Sequence, residues 1–191
     1  MNLLLLGPQG SGKGTQGKRI SAEYGIPQIA TGDMLRGAVA AGTPLGLAVE
    51  PILERGELVP DQVIIDLIRE RLDDPDAAKG FVLDGFPRTM AQADALDSLL
   101  RETGHELTVV FALQVSDEIS IERLLKRARE EQRTDDTPEA IRKRLDLYHR
   151  ETEPLIEHYR TLGVLIPIRA DGTPNEVFAE IQAALEQVAV R

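Results

Sequence analysis

The chain of 191 residues contains no cysteine and no tryptophan, and aromatic residues make up only 4% of it. The absence of thiols excludes disulfides, thiolate zinc sites and cysteine nucleophiles, so no zinc is expected. With few aromatics, the core must be built mostly from Leu, Ile, Val and Ala. The three histidines, His105, His149 and His158, stand at no ligand spacing and read as surface residues. No apolar run approaches the ~20 residues of a membrane span, and the first residues read as a strand rather than a basic leader. A cytoplasmic location with no membrane partner is therefore expected. Positive charge is also in short supply. Lys and Arg total 22 against 32 Asp and Glu, a formal net charge of −10, which argues against binding to nucleic acid or anionic lipid. A chain of this length supports one core with small excursions.

The most informative stretch is Gly7-Pro8-Gln9-Gly10-Ser11-Gly12-Lys13-Gly14-Thr15. It follows Asn2–Leu6, an apolar run that reads as a buried strand, and precedes a helix expected over Lys13–Tyr24. Strand, glycine-rich loop and helix form a phosphate cradle. Glycine lets the backbone turn its N–H groups inward, and the helix N-terminus adds unpaired donors and partial positive charge. Lys13 can reach the β and γ phosphates. The general P-loop pattern wants a hydroxyl directly after the lysine, whereas Gly14 stands there and Thr15 follows.

Further strands are expected at Gln28–Ala30, Phe81–Leu83, Leu107–Gln114 and Val164–Ile168. Several are apolar without alternation, as strands buried on both faces should be. Helix starts are marked by Thr43-Pro44, Asp61, Thr89-x-x-Gln92, Ser116-Asp117-Glu118, Thr137-Pro138 and Thr173-x-x-Glu176. Asp61 is read as a cap, and the helix from Pro138 toward Tyr159 is expected to kink near Pro154. This alternation predicts an α/β fold, a five-stranded parallel sheet between helices with ligands at the carboxyl ends of the strands, and the glycine-rich loop makes it one of P-loop NTPase type. Two segments depart from it. Residues 31–59 pack two or three short helices between strands, and Lys126–Asp136 reads as a polar break between helices.

Asp84-Gly85-Phe86-Pro87-Arg88-Thr89 ends the third strand. Asp84 would lie beside the phosphate loop, where Mg²⁺ often needs only one or two carboxylates and keeps most of its waters. Arg88 offers a planar fork for phosphate. From Arg123 to Arg150 there are nine basic and six acidic residues, a locally basic stretch in an acidic chain. It reads equally as a solvated helix face or as the site of a small polyanion.

Four motifs in order resemble those of the adenylate kinase family of nucleoside monophosphate kinases. They are G-x-x-G-x-G-K-G-T at Gly7, Ile29-Ala30-Thr31-Gly32-Asp33-Met34-Leu35-Arg36, the stretch from Asp84 to Gln92, and the arginines Arg123, Arg127, Arg133 (before Asp135-Asp136) and Arg144. The resemblance spans nearly the whole chain. It implies phosphoryl transfer from MgATP to AMP giving two ADP, and a cis bond between Phe86 and Pro87. It places ATP on Gly10, Ser11, Gly12, Lys13, Gly14, Thr15, Arg123, Arg127 and Gly172. It places AMP on Thr31, Arg36, the backbone of Glu57, Leu58 and Val59, Gly85, Phe86, Pro87, Arg88 and Gln92. Arg133 and Arg144 would lie between the nucleotides, and Lys13, Arg88, Arg127, Arg133 and Arg144 would be catalytic, with Asp84 holding Mg²⁺ through water. It divides the chain into a core (1–29, 60–125, 137–191), an AMP-binding excursion (30–59) and a short lid (126–136). A monomer is expected, acting on small nucleotides.

Three features depart from the family pattern. Five residues separate Arg127 from Arg133, so the lid is short. Gln9 replaces a common proline, and Glu57 stands where many relatives have lysine. A UMP/CMP kinase of the same fold is the near alternative, which Thr89 and Gln92 disfavour. A nucleotide sensor with little turnover is a second alternative, and the number of retained cations speaks against it.

Overall fold

Residues 1–131, 133 and 135–189 are described in a computed structural model of the chain, so positions 132 and 134 of the expected lid lie outside the described residues. Five strands, β1 (Asn2–Leu6), β2 (Gln28–Ala30), β3 (Phe81–Asp84), β4 (Val109–Gln114) and β5 (Leu165–Arg169), form one parallel sheet in the order β2-β3-β1-β4-β5. The short apolar run of β1 takes the centre. All five of its residues are buried, as a strand enclosed on both faces requires. The run divides by alternation. Leu4 and Leu6 join Leu83 and Phe86 on one face, beneath α4 (Asp61–Leu72), α5 (Met90–Glu102) and α8 (Pro154–Thr161). Leu3 and Leu5 join Val82, Phe111 and Ile168 on the other, beneath α1 (Lys13–Tyr24) and α9 (Pro174–Ala189). The sheet thus lies between two helical layers.

The segment between β2 and α4 holds two helices, α2 (Thr31–Ala40) and α3 (Pro44–Glu54), and α2 starts directly from the end of β2. Thr43 caps α3 by accepting the Gly46 N–H at 3.0 Å, with Pro44 at the first helical position. Beyond β4, α6 (Asp117–Glu130) packs against α7 (Pro138–Leu147) through Leu124, Ile141 and Leu145.

Several expectations need correction. The expected break at Lys126–Asp136 is helical as far as Glu130, because Lys126–Glu130 carries good helix formers and extends α6 by more than a turn. Asp61 is the first residue of α4 rather than its cap, since Pro60 precedes it and the Asp61 carboxylate is drawn to other partners. The helix expected to run from Pro138 toward Tyr159 is interrupted before Pro154. The chain widens into a π-type turn over Tyr148–Thr152, and Pro154 then opens α8 at a position that needs no N–H. The histidines are not uniformly at the surface, because His105 and His158 are half-buried and only His149 is exposed. The Phe86–Pro87 bond is cis.

Candidate active site

The loop between β1 and α1 turns through glycine conformations. Gly10 has φ +85°, and a Cβ there would lie 2.5 Å from the Ser120 carbonyl of α6. Gly12, at φ +96°, is the residue before α1 and offers no side-chain cap. The first turn of α1 carries no acidic residue, so its free N–H groups and partial positive charge meet no anion from that turn. Lys13 Nζ donates to the carbonyls of Gly7 and Pro8, each at 2.7 Å. Burial pulls the Lys13 ammonium down to about 8, against the opposing pull of Asp84.

The carboxyl end of β3 brings up Asp84. Burial raises its carboxyl above the ordinary range, while Lys13 and Arg88 act against that shift. Beyond it, the turn after β3 carries Arg88. Its Nε donates to the Gly85 carbonyl at 2.8 Å, and the Thr31 hydroxyl donates to the same oxygen at 3.0 Å. The Arg88 N–H donates to Gln92 Oε1, and the Arg88 carbonyl accepts from Thr152 Oγ1, both at 2.8 Å. With the backbone pinned and Nε occupied, the terminal guanidinium nitrogens have a fixed direction. Burial, then the neighbouring Arg144 and Arg36, hold its pKa below the usual value.

Gln92 is a half-formed capping box. Its N–H donates to Thr89 Oγ1 at 3.2 Å as the motif requires. Its side chain does not reach back to the Thr89 N–H. It bonds instead to Arg88 and, through Nε2, to Asp61 Oδ1 at 2.8 Å.

Three further arginines converge on two buried aspartates. Arg127 donates through Nε and Nη2 to Asp136 Oδ2 at 2.9 and 2.7 Å. Arg144 donates through Nη1 to Asp136 Oδ1 at 2.6 Å, and through Nη2 to Asp135 Oδ2 at 2.9 Å and the Leu53 carbonyl at 3.1 Å. Arg36 lies 3.7 Å from Asp135 and bonds Asp33 at 2.6 Å. Arg133 donates through Nε to Glu131 at 2.6 Å, and its buried Nη1 has no partner among the described residues. Arg123 is engaged differently. Its guanidinium donates to the carbonyls of Gly10, Ala170, Asp171 and Gly172 at 2.7–3.4 Å, tying the glycine loop to the turn after β5. Glu57 accepts from Arg55 at 3.0 Å and from Lys143 at 2.7 Å, and these bonds hold its carboxyl down to about 2.

Most of these groups, though not Asp61, Arg55, Asp136 or Lys143, line a cleft of about 620 Å³ across the carboxyl ends of the central strands. It gathers every candidate site residue drawn from the sequence except Phe86, whose side chain is buried in the core and only 1% exposed. Sequence reasoning passes over the residues that orient the arginines and Gln92. In sequence Asp61 reads as a cap, and Asp135 and Asp136 are only part of a motif. Each meets its partners across the fold or across the lid, and spacing gives no sign of that. Among the described residues no group of three or more acidic or histidine side chains is assembled around a metal position, and no helix is long and apolar enough to cross a membrane.

A glycine loop leading from the central strand of a parallel sheet, facing a carboxylate on the adjacent strand and a ring of arginines, defines a P-loop nucleotide phosphotransferase. The adenylate kinase family profile matches residues 5–164. Curated proteins named adenylate kinase resemble nearly the full chain. One from Thermus thermophilus is 51% identical over 183 residues, covering 96% of each chain. That from Maricaulis maris is 51% identical over 187 residues, covering 98% of this chain and all of its own. That from Archaeoglobus fulgidus is 45% identical over 98% of this chain and 99% of its own. The chain belongs to the adenylate kinase family.

Proposed function

We propose that the cleft performs reversible phosphoryl transfer from ATP to AMP, giving two ADP, with the site residues in the following roles. The carrying observation is that Lys13, Arg88, Arg127, Arg133 and Arg144 all line one cleft in a chain of net charge −10. Asp84, Asp135 and Asp136 offset part of this charge, and the phosphates of two nucleotides would offset the rest.

The backbone from Gly10 to Thr15 holds the ATP phosphates, and Lys13 moves from the loop carbonyls to the β and γ oxygens. Arg123 shapes the adenine side by fixing the turn at Gly172. Thr31, Arg36, the backbone of residues 57–59, Gly85, Pro87, Arg88 and Gln92 hold AMP, and Phe86 acts only through its backbone. Arg88, Arg127, Arg133 and Arg144 offset the repulsion between donor and acceptor and keep them in line. Asp136, by bonding both Arg127 and Arg144, presents two forks as one unit. Residues 126–136 form a short lid that excludes water from the transferring group.

A lone carboxylate beside a phosphate loop suits a hard cation that keeps its waters, so Asp84 is the residue that would hold Mg²⁺. Bound there with ATP, the cation would neutralise phosphate charge. The enzyme acts as a cytoplasmic monomer under this reading. A steady-state assay of ATP with AMP, UMP or CMP tests it. AMP is the preferred acceptor, and preference for a pyrimidine monophosphate or the absence of turnover would overturn it.

A further inference from the structure

Gln28, the first residue of β2, has no role in the family motifs quoted above. In the parallel register Gln28 is opposite Val82 and Ala30 is opposite Asp84. Period-two alternation puts Gln28, Val82 and Asp84 on the face covered by α1. The Gln28 side chain therefore leans along the sheet toward Asp84. Its two amide protons are both used. Nε2 donates to Asp84 Oδ2 at 3.3 Å and to the Gly14 carbonyl in the first turn of α1 at 3.4 Å.

The helix above makes room for this amide. Gly17 is buried in the interior of α1, where glycine costs roughly 1 kcal/mol relative to alanine. A Cβ at Gly17 would lie 2.5 Å from Gln28 Nε2 and 2.8 Å from Cδ. The helix gives up an alanine there, and what occupies the space is the end of the Gln28 side chain. One turn earlier, Gly14 faces the same carboxylate, and a Cβ there would make only ordinary contact with Asp84 Oδ2 at 3.6 Å.

We infer that Gln28 is a positioning residue for the metal carboxylate. Its amide holds Asp84 Oδ2 against the phosphate helix, which would leave Oδ1 available to Mg²⁺ and its waters, and the bare Cα of Gly17 admits it. The inference rests on the assignment of Asp84 to Mg²⁺. Outer contacts of this kind orient a ligand without touching the ion, and their loss typically weakens metal binding by roughly tenfold or more.

Two substitutions reach the contact from opposite sides. Gln28→Met keeps the length and removes the donor. Gly17→Ala leaves Gln28 in the chain but pushes its amide off Asp84, while favouring the helix. The readout is Mn²⁺ affinity for the complex of enzyme with ADP, followed by electron spin resonance, alongside ADP affinity without metal and the melting temperature. Both variants should weaken Mn²⁺ binding roughly tenfold with metal-free ADP affinity retained. Gly17→Ala should keep or raise the melting temperature, and the double variant should be no worse than Gln28→Met alone. Wild-type Mn²⁺ affinity in Gln28→Met would overturn the inference. So would an equal loss in metal-free ADP binding, or additive losses in the double variant. Asp84→Asn separates the two levels. If it binds Mn²⁺ as wild type does, the magnesium assignment itself fails. If it loses Mn²⁺ while Gln28→Met does not, only the positioning role fails.

Discussion

Arg144 and Asp136 are joined at 2.6 Å, and the other oxygen of that fully buried carboxylate holds Arg127. Replacing Arg144 with Lys keeps the charge and loses the fork that reaches Asp135, Asp136 and the Leu53 carbonyl at once. The expected result is a fall in kcat of roughly a hundredfold with a much smaller change in KM, the size of removing one preorganised donor. Asp136→Asn should lower kcat as well, because it loosens Arg127 and Arg144 together. It should also lower the melting temperature, since breaking a buried pair costs about 3–5 kcal/mol. Steady-state kinetics and thermal unfolding check both. An effect confined to KM would make these arginines simple phosphate anchors.

Lys13 should make ATP binding depend on pH. In the free protein its ammonium is pulled down to about 8 by burial, below the ordinary lysine value. Phosphate oxygens favour the charged form and raise that value again, so the complex holds a proton the free protein has partly lost. Above about pH 8, binding should take up a proton and weaken as pH rises. Calorimetry in buffers of different ionisation heat measures the uptake. Lys13→Met should show none in this window and should lose nearly all turnover with its fold intact.

Gln92 is 2% exposed and bonded on both sides of its amide. Gln92→Ala leaves the Arg88 N–H and the Asp61 carboxylate short of a partner, a cost of about 1–3 kcal/mol for each buried group stranded. The AMP KM should rise more than the ATP KM, and preference for AMP over UMP should narrow. Asp61→Ala frees the same amide to turn and should raise the AMP KM by less, with kcat near wild type. Kinetics with both monophosphates decide it, and unchanged AMP affinity in Gln92→Ala would leave the residue a purely local tie.

Lys143 reaches across from α7 to Glu57 in the segment after α3, 2.7 Å away. Both side chains are partly exposed, at 45% and 36%, so the pair is screened and its effect modest. Lys143→Glu sets like charges against each other where residues 57–59 line the cleft. It should raise the AMP KM roughly two- to fourfold at low salt, the scale of an exposed ion pair, and less at high salt. The exchanged pair, Glu57→Lys with Lys143→Glu, should restore the wild-type value. Failure of the exchange to restore it would show that Arg55, not Lys143, holds Glu57.

The phosphate loop is legible from sequence because all its parts are contiguous. A buried strand, glycines and the lysine fall within Asn2–Thr15, and each has one physical reason to be there. The parallel sheet follows from alternation in the same way, with strand ends in error by a residue or two. What sequence reasoning misses is contact across the fold. Asp61 resembles a cap because aspartate before an apolar-periodic segment often is one, yet its partner Gln92 is in another helix. Gln28 resembles the edge of a short strand, and its meaning depends on a register with β3 that no spacing reveals. Lys126–Glu130 resembles a break because it is almost uniformly polar. The apolar face of α6 ends with Leu124 and Leu125, and only Ala128 continues it into the last turn.

The central place of β1 has a consequence for how the protein is made. Asn2–Leu6 is synthesised before the other four strands of its sheet, but its two neighbours are Phe81–Asp84 and Val109–Gln114. Until more than half the chain has been synthesised, the leucines of β1 have no complete sheet to enter and the nucleotide loop that follows them has no firm anchor. Pairings this distant close slowly, and the unpaired strand is exposed meanwhile. The part of the molecule that defines its chemistry is therefore written before its supports and assembled late, and a nascent chain halted before β4 should not retain ATP.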